Sequence, residues 1–144
     1  MITNHSVQDC KQELKSFSLK VTPARLGVLK LLEKTDKPLD VASIASYLSA
    51  NNIIVDNATV FRIINLFTRL GLTRQIHLNE DKFRYEIASA YDHHHLICEN
   101  CHQIEDIQCS VKNIDKEIKR KKGFVVNTHS LEFFGLCAKC QKRQ

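Results

Sequence analysis

The sequence predicts an α+β protein with a winged helix-turn-helix domain at residues 1–88 and a small α/β domain with a four-cysteine zinc site at residues 89–144. Three observations lead to this prediction. Three helical patterns with capping signals are followed by two short strand patterns. The apolar pattern then lapses into small residues near position 88. Two Cys-x-x-Cys pairs occupy the remaining part of the chain.

The N-terminal helices are marked by their caps. A short polar helix is predicted at residues 9–17, before a clearer helix that Thr22 caps and Pro23 opens. This second helix should end before Lys37-Pro38, because proline disfavours helical backbone in the preceding residue. Asp40 is expected to cap the next helix.

The last helix of this domain begins at Asp56 or Asn57 and ends at Gly71, a typical residue after a helix C-terminus. Two strands are predicted next, at 72–78 and 83–87, joined by a polar turn. Three helices closed by a hairpin form a winged helix, whose last helix can enter the major groove of DNA.

The second domain follows a linker of small residues at 88–90. Short strands are predicted from residue 96 and at 103–107. A helix ending at Gly123 follows, and then a strand at 124–134. These elements predict a small α/β unit.

The bulk composition indicates a globular protein, with 43% hydrophobic and 26% charged residues. The chain shows neither a signal-peptide pattern nor an apolar run of roughly 18 residues, so a cytoplasmic location is expected. Six cysteines in a reducing compartment favour metal ligands or redox thiols over disulfides. The net charge of +5 is compatible with DNA binding but does not establish it.

The two Cys-x-x-Cys pairs are Cys98 with Cys101 and Cys137 with Cys140. Together they supply four thiolates, the ligand set of a closed tetrahedral zinc site. Such a site has no open position and is therefore structural. The alternative is a pair of redox motifs or incidental cysteines, but neither pair opens a βαβ unit as thioredoxin-like motifs do.

The segment Asp92-His93-His94-His95 combines imidazoles with a carboxylate. In an extended segment His93 and His95 point to one side, and Asp92 and His94 to the other, so two metal sites can result. The alternative is a solvated polar linker. Three further candidate ligands, which are otherwise ordinary surface residues, are Glu86, Asp106 and His129.

Several motifs resemble the ferric uptake regulator (Fur) family of metal-dependent repressors. The resemblance covers residues 19–140 and rests on residues 21–25, residues 58–62, the histidines leading into Cys98, and residues 129–132. It implies a homodimer that pairs through the second domain, binds double-stranded operator DNA with the winged helix and is not an enzyme.

The resemblance also implies roles for individual residues. The implied sets are a regulatory metal site of Glu86, His93, His95 and Asp106; a second site of Asp92, His94 and His129; the structural zinc site of Cys98, Cys101, Cys137 and Cys140; and the DNA contacts Phe61, Arg62, Arg25, Lys20 and Lys82.

The chain departs from the family pattern at two places. Lys37-Pro38 stands where members often have a sensory histidine, and Lys112 aligns with a glutamate of the second site. Cys109 lies close enough in the sequence to replace that carboxylate with a thiolate. Otherwise Cys109, like Cys10, is interpreted as a small buried hydrophobe or an idle thiol.

The predicted function is a metal-responsive repressor that binds a palindromic operator and senses ferrous iron, with Zn²⁺ in the structural site and Fe²⁺, Mn²⁺ or Zn²⁺ in the regulatory site. Iron is favoured because zinc sensors of the family commonly have cysteine at the position of Glu86. Zinc sensing and peroxide sensing are the alternatives within the family. From other classes, the alternatives are a zinc-dependent hydrolase and a zinc-stabilised dimerisation module without sensing.

Overall fold

The computed structural model describes residues 7–88, 93–109, 111 and 113–143. The chain divides into two compact units, Met1–Ala88 and Ser89–Gln144. The N-terminal unit contains α1 (Val7–Ser16), α2 (Pro23–Lys34), α3 (Val41–Ala50), α4 (Asn57–Arg69), β1 (Thr73–His77) and β2 (Phe83–Ile87). The C-terminal unit contains β3 (His93–Cys98), β4 (Ile104–Gln108), α5 (Ile114–Lys122), β5 (Glu132–Gly135) and α6 (Ala138–Gln141).

The helix ends of the N-terminal unit follow the predicted capping signals. Thr22, Asp40 and Asp56 each accept a hydrogen bond from the backbone N–H three residues later, at 3.2, 2.7 and 2.7 Å. Gly71 has a φ of 76°, a left-handed conformation that glycine adopts without strain. The predicted starts of α2, α3 and α4 and the end of α4 are therefore confirmed.

The apolar faces of the helices meet in one core with the start of the hairpin. Burial of this surface is the main force that stabilises the unit, because each large apolar side chain removed from water contributes roughly 1.5–3 kcal/mol. Its fully or almost fully buried side chains include Leu14, Leu29, Leu32, Ile44, Leu48, Val60, Ile64, Phe67 and Tyr85.

The β1–β2 hairpin is hydrogen-bonded to the segment that leads into α3. The strands pair in antiparallel register, with Arg74 opposite Glu86. Leu39 and Tyr85 exchange two backbone hydrogen bonds of 2.9 and 2.8 Å, and Lys82 in the turn forms an ion pair with Asp40. The hairpin is thus attached directly to the start of α3.

The C-terminal unit is built on a three-stranded sheet with β3 in the centre. β4 pairs with β3 in antiparallel register, and β5 pairs with it in parallel register. α5 connects β4 to β5, has no buried residue and ends at Gly123. Among the described residues, no helix is long and apolar enough to span a bilayer.

Two predicted strand boundaries in this unit are wrong. The strand predicted at 124–134 is limited to Glu132–Gly135, because β3 offers backbone partners only to residues 132–135. Phe124 and Val125 instead lie outside regular structure and are 64% and 61% exposed. The strand predicted from residue 96 begins at His93, so the histidines are part of the sheet.

Asp40 gives the stability of the N-terminal unit a defined pH dependence. Burial acts to raise the pKa of Asp40, but hydrogen bonds from Lys82 and Ser43 outweigh it and lower the pKa to about 2. An unfolded aspartate has a pKa of about 3.9, so the carboxylate stabilises the fold above that pH. This contribution is lost as the pH falls toward 2.

We expect Asp40→Ala to lower the free energy of unfolding by about 1 kcal/mol at neutral pH, as loss of an N-cap does. The variant should also show a shallower loss of stability between pH 4 and pH 2. Denaturant titrations at a series of pH values measure both effects. The exposed Asp36, changed to alanine, is the matched control. Equal pH slopes for wild type and Asp40→Ala would contradict the assignment.

Candidate metal centres and nucleic-acid interface

The four cysteines of the two pairs lie together in the C-terminal unit. Cys98 ends β3, Cys101 lies in the following turn, Cys137 precedes α6 and Cys140 lies within it. Their sulfur atoms all lie within 4.8 Å of one another. The Cys101 and Cys137 sulfurs are 3.7 Å apart. Two thiolates on a tetrahedral zinc ion are about 3.8 Å apart when each Zn–S bond is about 2.3 Å, so the geometry fits zinc.

Backbone amides favour the thiolate form of one cysteine in this cluster. The N–H of Cys137 donates to the sulfur of Cys98 at 3.3 Å. Hydrogen bonds from the backbone of Cys101, and then of Cys137, lower the pKa of Cys98 to about 6. Since the thiolate is the form that binds metal, the cluster can hold a zinc ion that ties the end of β3 to α6.

One face of β3 carries His93 and His95, whose ring centroids are 5.2 Å apart. Asp106 lies directly opposite His95 on β4, and its Oδ1 is 3.6 Å from His95 Nε2. His95 is only 2% exposed, whereas the side chain of Asp106 is 48% exposed. The sheet thus brings together three of the four residues of the predicted regulatory site, which offer two imidazoles and a carboxylate.

The other face of β3 carries His94, whose candidate ligand atom lies within 4.8 Å of those of Cys109 and His129, from two other segments. Its ring centroid is 5.1 Å from that of His129, in the segment before β5. His129 Nε2 is 3.4 Å from the sulfur of Cys109, directly after β4. The strand therefore presents its histidines on two faces, as its alternation predicts. Asp92 of the predicted second site, and Lys112 at the position of the family glutamate, lie outside the described residues.

The fourth predicted regulatory ligand, Glu86, belongs to the N-terminal unit. It lies on β2, is 8% exposed and forms an ion pair with Arg74 across the hairpin. Its position is fixed by the β1–β2 pairing and by the neighbouring bridge between Tyr85 and Leu39. Glu86 is therefore held on a hairpin that is itself bonded to the segment before α3.

The predicted DNA-reading residues lie on the exposed side of α4. Phe61 is 49% exposed, and Arg62 lies in a groove that Arg25, Arg69 and Gln75 also line. Sequence reasoning missed Arg69 and Gln75. The signal for Arg69 is its position two helical turns after Arg62, which places both arginines on one face of the helix.

The remaining predicted DNA contacts, Lys20 and Lys82, differ in their partners within the fold. Lys20 is exposed, and its carbonyl accepts a hydrogen bond of 3.0 Å from Arg25. Lys82 pairs with Asp40, and Arg84 pairs with Glu80 at 3.1 Å. Lys82 and Arg84 therefore have structural partners in the hairpin region.

We expect removal of the four-cysteine site to unfold the C-terminal unit and leave the N-terminal unit folded. Cys98→Ser should lower zinc content below one ion per chain and abolish protection of β3 amides from hydrogen exchange, because metal binding and folding are coupled in such sites. Cys10→Ala is the matched control, since Cys10 is buried in the other unit. Full β3 protection in a zinc-free Cys98→Ser protein would contradict a structural role.

Comparison with known proteins agrees with these features. A model of the ferric uptake regulator family matches residues 16–134. The ferric uptake regulation protein of Bordetella parapertussis is 31% identical over 136 residues, which are 92% of this chain and 96% of the relative. The peroxide operon regulator of Bacillus subtilis is 26% identical over 141 residues, 97% of each chain.

A solved structure of the ferric uptake regulator from Francisella tularensis with iron has the same fold. It matches with a TM-score of 0.74 and 31% identity, over 87% of this chain and 96% of that one. The chain therefore belongs to the ferric uptake regulator family of metal-responsive transcription regulators.

Proposed function

We propose that this chain is a transcription repressor that binds a palindromic operator as a homodimer when ferrous iron fills a site made by Glu86, His93, His95 and Asp106. The observation that carries the proposal is the grouping of His93 and His95 with Asp106 on one face of β3, separate from the four-cysteine cluster. A structural metal and a sensory metal can thus occupy different parts of the same chain.

The donor atoms favour iron or manganese in the sensory position. Imidazole and carboxylate groups suit these ions, whereas thiolates favour zinc. Within the described residues, the groups gathered around His95 on this face are an imidazole and a carboxylate, without a sulfur atom. The similarity to the F. tularensis regulator, whose structure was solved with iron, supports the same choice.

Glu86 is the proposed link from the metal to the DNA-binding unit. Members often have a sensory histidine where this chain has Lys37-Pro38, so Glu86 is the one proposed ligand from the N-terminal unit. Its ion pair with Arg74 must open or be shared when Glu86 binds a cation, so the cation competes with a guanidinium. Because Glu86 lies on the hairpin that is bonded to the start of α3, this exchange acts on the whole winged helix.

The proposed DNA interface is the exposed side of α4. Arg62 can bind guanine edges in the major groove, and the ring of Phe61 can contact thymine methyl groups. Arg25 and Lys20 are placed to contact phosphates, which position the protein without specifying sequence. A dimer would present two such helices to two half-sites of a palindrome.

The proposed dimer surface belongs to the C-terminal unit. Six large apolar side chains among its described residues are exposed, and contiguous exposed apolar surface marks interaction sites. They are Ile107, Ile114, Phe124, Val125, Phe133 and Phe134.

Peroxide sensing is the second candidate, favoured by the match to the B. subtilis peroxide operon regulator along almost the whole chain. Iron held by His93 and His95 would bring a peroxide-reactive ion next to oxidisable imidazoles. Iron-loaded protein treated with hydrogen peroxide should then gain one oxygen atom on a histidine and lose operator affinity. An unmodified protein in mass spectrometry would exclude this function.

We expect His95→Ala to abolish the metal dependence of DNA binding. An operator is first selected from random duplexes with the manganese-loaded wild type, and its affinity is then measured with chelator, Fe²⁺, Mn²⁺ and Zn²⁺ under anaerobic conditions. Wild type should bind the operator more tightly with metal. His95→Ala should bind it with the same affinity in each metal as with chelator. The exposed His102, changed to asparagine, is the control. Equal wild-type affinities with and without metal would instead indicate a dimerisation module without sensing.

We expect Arg62→Ala to weaken operator binding by about 1–3 kcal/mol and to relax specificity at one base pair of each half-site. Metal binding should not change, because Arg62 lies on the exposed side of α4. Lys116→Ala on α5 removes an equal charge and is the matched control. Uniform weakening on all duplexes would show that Arg62 contacts phosphate only.

A further inference from the structure

We propose that Cys109 is a ligand of a metal site with His94 and His129, where its thiolate stands in for the missing carboxylate and selects a thiophilic divalent ion such as Zn²⁺. The second site implied by family resemblance, Asp92, His94 and His129, contains no sulfur. The structure brings a cysteine to the two histidines. This inference does not depend on the proposed iron sensing.

The distances within this trio match those of metal ligands. The candidate ligand atoms of all three residues lie within 4.8 Å of one another. The 3.4 Å between Cys109 Sγ and His129 Nε2 compares with about 3.6 Å for a sulfur and a nitrogen on one tetrahedral zinc ion, from bond lengths of about 2.3 and 2.05 Å. Little movement is therefore needed to admit an ion.

The trio joins three segments that are distant in sequence. His94 lies on β3, Cys109 directly follows β4 and His129 lies before β5. His94 and Cys109 are 6% and 5% exposed, and His129 is half-buried. An ion bound here would be shielded from solvent and would link all three strands of the sheet.

The ligand types of this site suit a different class of metal from the ligands on the opposite face of β3. One thiolate with two imidazoles is a borderline-soft set that favours zinc or cobalt over iron and manganese. The carboxylate and imidazoles around His95 are a harder ligand set, which suits iron and manganese better than a thiolate does. The two faces of one strand would thus respond to two different ions.

The competing explanation is a plain hydrogen bond between the Cys109 thiol and the His129 ring, with no ion involved. The 3.4 Å contact satisfies hydrogen-bond geometry for sulfur. The two explanations differ in one observable. Only a metal site gives a sulfur-to-metal charge-transfer band when cobalt is added.

The test is a Co²⁺ titration of full-length protein whose four-cysteine site is already filled with zinc, followed by absorption spectroscopy. A near-ultraviolet thiolate-to-cobalt band and intense tetrahedral ligand-field bands are expected. Zinc should displace the cobalt, and manganese should not. Zinc content is measured throughout, to show that cobalt has not entered the four-cysteine site.

Variants assign the band to the trio. Cys109→Ser should abolish it, and His129→Ala should weaken Zn²⁺ binding by more than about tenfold, since even outer partners of ligands contribute about this much. Cys10→Ala, which removes the buried thiol of the N-terminal unit, should keep the band. His95→Ala, which removes a ligand of the proposed iron site, should keep the band too. A failure of the trio site can therefore be distinguished from a failure of iron sensing. A band that is absent from wild type, or that persists in Cys109→Ser, would overturn the proposal.

Discussion

The alternation of side chains along β3 is the constraint on which both candidate sites of this strand depend. Successive residues of a strand point to opposite faces, so His93 and His95 are separated from His94. β3 is bonded to β4 and β5, and its last residue is Cys98 of the four-cysteine cluster. A slip of one residue would exchange the two ligand sets. A zinc ion in the cluster would therefore support sensing by holding the register of β3.

The cysteines show how local environment decides the chemistry of one residue type. Burial, and next the 3.0 Å hydrogen bond that the thiol donates to Glu33, together raise the pKa of Cys10 to about 12. Cys10 therefore stays a neutral core residue. Backbone N–H groups have the opposite effect on Cys98. Cys109 faces the imidazole of His129, a side chain of a type that can bind metal, and this neighbour distinguishes it from Cys10.

Local signals made the N-terminal unit predictable. Thr22, Asp40 and Asp56 act on N–H groups three residues away, and Gly71 adopts its turn without a distant partner. Strand limits in the C-terminal unit depend instead on pairing. Phe124 and Val125 look like strand residues, yet β3 offers partners only from residue 132 onward. The Cys109–His129 contact spans 20 positions, so the sequence suggested both residues for the second site but not their direct contact.

The division of donor types between the faces of β3 has a consequence for selectivity. Zinc generally binds nitrogen ligands more tightly than iron or manganese does, so affinity alone would let zinc fill a sensory site of imidazoles. A thiolate on the opposite face of the same strand offers zinc a better ligand set. Zinc would then fill the Cys109 side first and leave the carboxylate side to iron. Glu86 adds to this discrimination, because only an ion that binds carboxylate oxygen strongly can displace Arg74 from it.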